Sequence, residues 1–180
     1  MRRALFALAL LTPLPAAADE AALKAEAAAI LKDYAGGLQA ALKGAMESGG
    51  PVAAIGACSE KSPQLASEAA AKSGWSVGRT SLKPRNQHSA PTAYETKVMG
   101  EFQARLAAGE PMDTLVKAET VDGVFHFVKA IPTAELCLNC HGSELKPEVS
   151  AKLKELYPAD AATGFSVGQM RGVFTLSKKM

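Results

Sequence analysis

The chain has 180 residues, 48% of them hydrophobic and 21% charged, with a formal net charge of +2. That composition supports one domain with a hydrophobic core and excludes wholesale disorder, a collagen-like repeat and a disulfide-dense miniprotein. It is too weakly basic for a nucleic-acid surface, and three cysteines leave one thiol over however the other two are used.

Met1-Arg2-Arg3 gives a positive start, Ala4 to Leu11 an apolar run, and Ala16-Ala17-Ala18 a small-residue cleavage pattern. This is the layout of a secretory signal peptide over 1–18, and the apolar run is shorter than the about 20 residues that span a bilayer. Cleavage after Ala18 removes Arg2 and Arg3 and no acid, which leaves the mature chain over 19–180 formally neutral. No later stretch is long and apolar enough to cross a membrane, so the expected product is soluble and exported to a periplasm.

Leu23, Ala27, Leu31, Tyr34, Leu38, Leu42 and Met46 recur at spacings of three and four, one face of a long amphipathic helix over 20–47. Gly36-Gly37 should weaken that helix, and Ser48-Gly49-Gly50-Pro51 should end it. A short helical segment from Val52 to Cys58 follows, and Ser62-Pro63 reads as the cap and first position of another helix ending near Gly74. Trp75 to Leu82 alternates as a strand, and Lys83 to Pro91 is a polar loop. Thr92 and Glu95 form a capping box before a helix whose buried face is Tyr94, Val98, Phe102 and Leu106, stopped by Gly109. Thr114–Thr120 and Val124–Ile131 are two strands joined at Asp122-Gly123, a hairpin turn. A loop and helix run from Cys137 to Tyr157, and Gly172–Ser177 is a last strand. The economical fold is α+β, a small antiparallel sheet flanked by helices.

The chemistry sits in Cys137-Leu138-Asn139-Cys140-His141, a C-x-x-C-H motif. Two thiols at this spacing can each form a thioether with a haem vinyl group, and the adjacent imidazole is then placed to bind the iron. One motif implies one covalent haem c, and export agrees with it because such attachment occurs outside the cytoplasm. A zinc site lacks a second ligand pair, a thioredoxin-like role lacks the βαβ context, and a plain disulfide is the bland alternative.

The second axial position has several candidates: Cys58, His88, His126, Met46, Met99, Met112 and Met170. His126 lies in a strand and His88 in a polar loop. Met46 and Met99 fit helix packing, and Met170 is the usual choice for a simple cytochrome c. Cys58 is the leftover thiol, an inert buried group or a thiolate ligand that would depress the reduction potential.

Several segments occur together in order: Ala54-Ile55-Gly56-Ala57-Cys58, Gly78 to Asn86, Cys137 to Gly142, Tyr157 to Phe165, and Gly168-Gln169-Met170-Arg171-Gly172. On these residues the mature chain resembles the Tll-type (cyanobacterial-type) single-haem c domain, often described only as a domain of unknown function. The resemblance implies a PAS-like fold and His/Cys axial ligation, carried over to His141 and Cys58. Asn86-Gln87-His88 departs from the Asn-Pro frequent in the family. Many relatives are fused to membrane and kinase segments that this chain lacks, so a signal would pass to a separate partner. Arg79, Lys83 and Arg85 form a basic cluster suited to haem propionates, or simply a solvated face. The expected protein is a periplasmic redox or diatomic-gas (CO/NO) sensor with a transient redox or signalling partner. The alternatives are a small electron-transfer cytochrome c and, further off, a sulfur-compound-oxidising enzyme, for which no catalytic cluster surrounds Cys58.

Overall fold

The computed structural model of the protein describes residues 15–180; the charged start and apolar run of the expected signal peptide, at 1–14, lie outside them. Helix α1, Pro15–Ser73, is two helical halves joined at a kink where Gly49 and Gly50 leave helical angles. The halves double back on each other, since a Cβ on Gly37 would lie 3.4 Å from the Leu65 side chain. The expected break between Cys58 and Ser62 does not occur: α1 runs straight through Pro63. A proline inside a helix costs about 3 kcal/mol, yet Leu65, Ala66 and Ala69 beyond it are packed against the core, and that burial outweighs the lost hydrogen bond. Of Gly36-Gly37, expected to weaken the first half, Gly37 is where the second half approaches, and Gly36 faces open space.

The sheet is antiparallel throughout, in the order β1-β4-β3-β2. Its strands are β1 Ser76–Thr80, β2 Val116–Val121, β3 Val124–Pro132 and β4 Met170–Lys179. Asp122 and Gly123 carry φ values of 50° and 75°, the left-handed pair that a two-residue hairpin turn requires. Strand β4 is longer than expected at both ends because it is a central strand, paired with β1 on one side and β3 on the other.

One face of the sheet meets α1. Phe125, Phe127 and Leu176 pack on Ala27, Leu31, Tyr34 and Trp75, the stripe expected from the helical spacing. The other face meets α2, Ala93–Ala107, where Val128, Ala130 and Val173 pack on Val98, Met99 and Phe102. The capping box is made as expected, with Thr92 and Glu95 exchanging side-chain and backbone hydrogen bonds. A third cluster joins Ile55 of α1 to Val149 and Leu153 of α4, Pro147–Leu156, with Cys140 and Tyr157 against it. Instead of one helix over 137–157, the chain makes a single turn, α3 Leu138–His141, and then α4. Gly142 ends α3 on Leu138 O, and Pro147 starts α4 at a position where it needs no amide proton.

Gly172 marks where the last strand crosses the end of the first. A Cβ there would lie 2.3 Å from Thr80 O and 3.0 Å from Ser81 Cβ, and the backbone oxygen cannot yield. Gly172→Ala should therefore cost about 3 kcal/mol, the upper end for overpacking. Urea unfolding checks this, and a midpoint equal to wild type would show that the two strand ends are not in such close contact.

Candidate haem site

The C-x-x-C-H motif occupies a compact turn. Glu135–Cys137 is a 3₁₀ turn, α3 follows at once, and Cys137 and Cys140 are both half-buried free thiols. Strand β3 delivers the turn. After Pro132, Thr133 donates from its amide to Gln169 O and accepts from the Gly168 amide, tying the entrance of the turn to the loop before β4.

That loop, residues 157–169, lies across His141. Gly164 donates from its amide to Gly142 O and Phe165 to His141 O, each at 2.9 Å. His141 Nδ1 is 2.7 Å from Ala162 O. A carbonyl oxygen can only accept, so Nδ1 carries the ring proton and Nε2 keeps its lone pair. Arg171 Nε, 3.2 Å from the same Nδ1, then faces a proton, so it lends the ring charge rather than a true hydrogen bond. Burial, with Arg171 and Arg85 beside it, pushes His141 from its ordinary 6.5 down to about 2, so the imidazole is neutral.

The segment after β1 holds the loop in place. Lys83 Nζ donates to Thr163 O, Gln87 Nε2 to Ala159 O at 2.7 Å, and the Ala161 amide to Pro84 O at 3.0 Å. Arg85 donates from Nε to Asp160 Oδ2 at 3.1 Å and from Nη2 to Cys140 O and Ala162 O. Ser81 donates to Arg171 O, and Arg171 Nη1 lies 3.1 Å from Ser81 Oγ. Lys83 and Arg171 both sit over the Phe165 ring, at 4.7 and 5.0 Å.

Cys58 stands one turn beyond Ile55 on α1, on the helix face that packs near Cys140 and Tyr157. Burial pushes its thiol up, while the charges of Arg79 and Arg85 pull it partly back. Cys140 is raised in the same way, and the Cys58 charge adds to that shift. Arg79 is exposed on the α1-facing side of β1, and its charge also reaches Tyr34. The other candidates are elsewhere. His126 stacks on Tyr94 at 4.2 Å on the α2 side, and His88 is exposed in a 3₁₀ turn. Met99 is buried in the α2 cluster, with Met112 and Met170 packed against it, and Met46 is half-buried near the end of the first half of α1. Lys83 and Arg85, expected as propionate partners, are engaged with loop carbonyls and Asp160 instead of standing open.

Two residues with a central place here, Arg171 and Asp160, were not singled out from the sequence as site residues. Arg171 is half-buried, and its desolvation together with Arg85 and Arg79 lowers it to about 10. Their sequence signal is membership of the segments 157–165 and 168–172 that carry the family resemblance, and Asp160 is also the lone acid of its loop.

The donor set fits a covalent haem. The turn offers two unpaired thiols and a neutral imidazole with a spare lone pair, and beside it Arg171 feels the positive charges of Arg85 and Arg79. Haem carries two carboxylates that would balance that charge. Among the described residues no three His, Cys, Asp or Glu side chains converge to hold a metal ion directly, and haem iron asks the chain for no more than two ligands.

Fold and site together define a single-domain α+β protein of PAS-like architecture carrying a C-x-x-C-H turn. The chain belongs to the Tll0287-like family (Tll0287), which matches residues 13–178. Among solved structures it is similar to the cyanobacterial heme-protein Tll0287, with 31% identity and a TM-score of 0.58 over 69% of this chain and 72% of that one. No curated protein matches the chain. No helix among the described residues is long and apolar enough to cross a membrane.

The buried neutral histidine has a pH signature. Below pH 6.5 the unfolded chain takes up a proton that the folded haem-free chain refuses until about pH 2, so the fold loses stability as pH falls through that window. His141→Gln cannot titrate. Urea midpoints of the haem-free chains should therefore fall more for wild type than for His141→Gln between pH 7 and pH 4. Parallel losses would show that His141 is solvated.

Proposed function

We propose that the protein is an exported, periplasmic mono-haem c-type protein that senses redox state or a diatomic gas such as CO or NO through a His/Cys-ligated haem. The observation that carries this is the state of His141. Its proton is committed to Ala162 O, its other nitrogen is left a ligand, and it sits beside two free cysteines in a turn built for thioether attachment. Membership of the Tll0287-like family supports the same cofactor.

In this function Cys137 and Cys140 would tether the haem, and His141 and Cys58, from α1, would be the iron's protein ligands. Haem, once bound, would supply one-electron chemistry and a site for small ligands. Arg79 and Arg171 would offer positive charge to the two propionates, while Lys83 and Arg85 hold the loop beside them. Burial favours the protonated form of Cys58, so Cys58 can take up a proton at Sγ and withdraw, whereas His141 is held by a hydrogen bond that no proton uptake disturbs. This asymmetry favours sensing over simple electron transfer: one ligand is fixed by the fold and the other sits on a helix half that begins at the Gly49-Gly50 kink. A transient redox or signalling partner would receive the change. A small electron-transfer cytochrome c is the alternative function, and it would keep both ligands in both redox states.

Absorption and EPR spectra of ferric and ferrous protein, with and without CO, separate these functions. Wild type should show a low-spin thiolate signature when ferric and bind CO when ferrous, and Cys58→Ser should abolish the signature. A His/Met-type ferric spectrum unchanged by Cys58→Ser would remove Cys58 as ligand. Ferrous protein that refuses CO would favour the electron carrier.

A further inference from the structure

We propose that Arg85 is the positioning residue of His141, acting through Ala162 O, rather than a direct partner of a haem carboxylate. This rests on the haem reading above and goes beyond it.

One guanidinium joins three parts of the site. Arg85 Nε donates to Asp160 Oδ2 at 3.1 Å, and Nη2 donates to Cys140 O at 2.5 Å and Ala162 O at 3.3 Å. Cys140 belongs to the attachment turn, Asp160 and Ala162 to the loop lying over it, and Arg85 itself to the segment after β1. The pair is shielded, with side-chain exposures of 14% for Arg85 and 10% for Asp160. Asp160 is held in turn, since its Oδ1 accepts from the Ala162 amide at 2.7 Å. Ala162 is thus gripped at both ends of its peptide units: its amide by Asp160, its carbonyl by Arg85.

That carbonyl is the same oxygen that accepts from His141 Nδ1. A carbonyl has two lone pairs, so it can serve both donors at once. Arg85 therefore fixes where the acceptor of the histidine proton stands, relative to the turn that carries the histidine. The Nε and Nη2 edge of the guanidinium, one of its two edges for bidentate carboxylate binding, is already spent on protein oxygens. A lysine would keep the charge but not the planar fork that reaches Asp160 and both carbonyls together.

The test uses ferric holoprotein and follows exchange of the His141 Nδ1 proton with D2O by paramagnetic NMR, with EPR linewidth as a second readout. Arg85→Lys should exchange about tenfold faster than wild type, as expected when a charge-assisted hydrogen bond no longer holds the loop closed. Its EPR signal should broaden as the ring loses a single orientation. Asp160→Asn, which leaves the Arg85 charge and both carbonyl contacts available, should show a smaller acceleration and keeps the test open if Arg85→Lys fails to fold. Wild-type exchange in Arg85→Lys would mean that Arg85 supplies charge alone, and wild-type exchange in Asp160→Asn would mean that its anchor positions nothing; either overturns the proposal. A wild-type chain that carries no haem overturns the functional reading itself, whereas haem-loaded variants with unchanged exchange overturn only the role of Arg85.

Discussion

The hydrogen bond from His141 Nδ1 to Ala162 O is the contact on which the rest of the site depends. It decides which ring nitrogen carries the proton, and so which one keeps a free lone pair. It also requires the 157–169 loop to lie across the attachment turn. That loop has little regular structure of its own, and its position comes from outside it. Amide hydrogen bonds from Gly164 and Phe165 fasten it to the turn, and Lys83, Pro84, Arg85 and Gln87 fasten it to the segment after β1. The close crossing of Gly172 over Thr80 and Ser81 sets that segment beside the start of β4. Sheet register, loop and histidine tautomer form one chain of constraints.

Electrostatics adds a second requirement. Burial, with the charges of Arg85 and Arg79, lowers the proton affinity of Arg171 in a region where Asp160 is the acid at hand. Gathering three guanidinium groups around a neutral imidazole leaves a positive field there. A haem c with its two carboxylates would relieve it, so the cofactor would be part of what holds the site together. The same charges temper Cys58. Burial pushes its thiol up, and Arg79 and Arg85 offset only part of that, so the haem-free chain keeps Cys58 protonated.

Much of this was legible in the residues. The spacing from Leu23 to Tyr34 gave the α1 face, Thr92 and Glu95 the start of α2, and Asp122-Gly123 the hairpin, because each depends on local geometry. The Cys137–His141 turn was legible as a motif because it is written in five consecutive residues. Pro63 misled, since its local preference for a helix start is overridden by the packing of Leu65, Ala66 and Ala69. The break of the 137–157 segment into α3 and α4 coincides with a loop contact 22 residues along the chain, between Gly142 and Gly164. Arg85 was legible as a basic residue but not in its role, because the oxygens it binds belong to Cys140, Asp160 and Ala162, more than 50 residues along the chain. Arg171 was hidden for the same reason.

The most direct measurement is intact mass with a denatured absorption spectrum, on protein matured by a competent c-type haem system. The account predicts one haem that stays with the chain after denaturation and acid extraction, and its loss from the chain when Cys137 and Cys140 are both changed to Ala. A wild-type chain recovered at its bare polypeptide mass, or a haem that extracts freely, would contradict it.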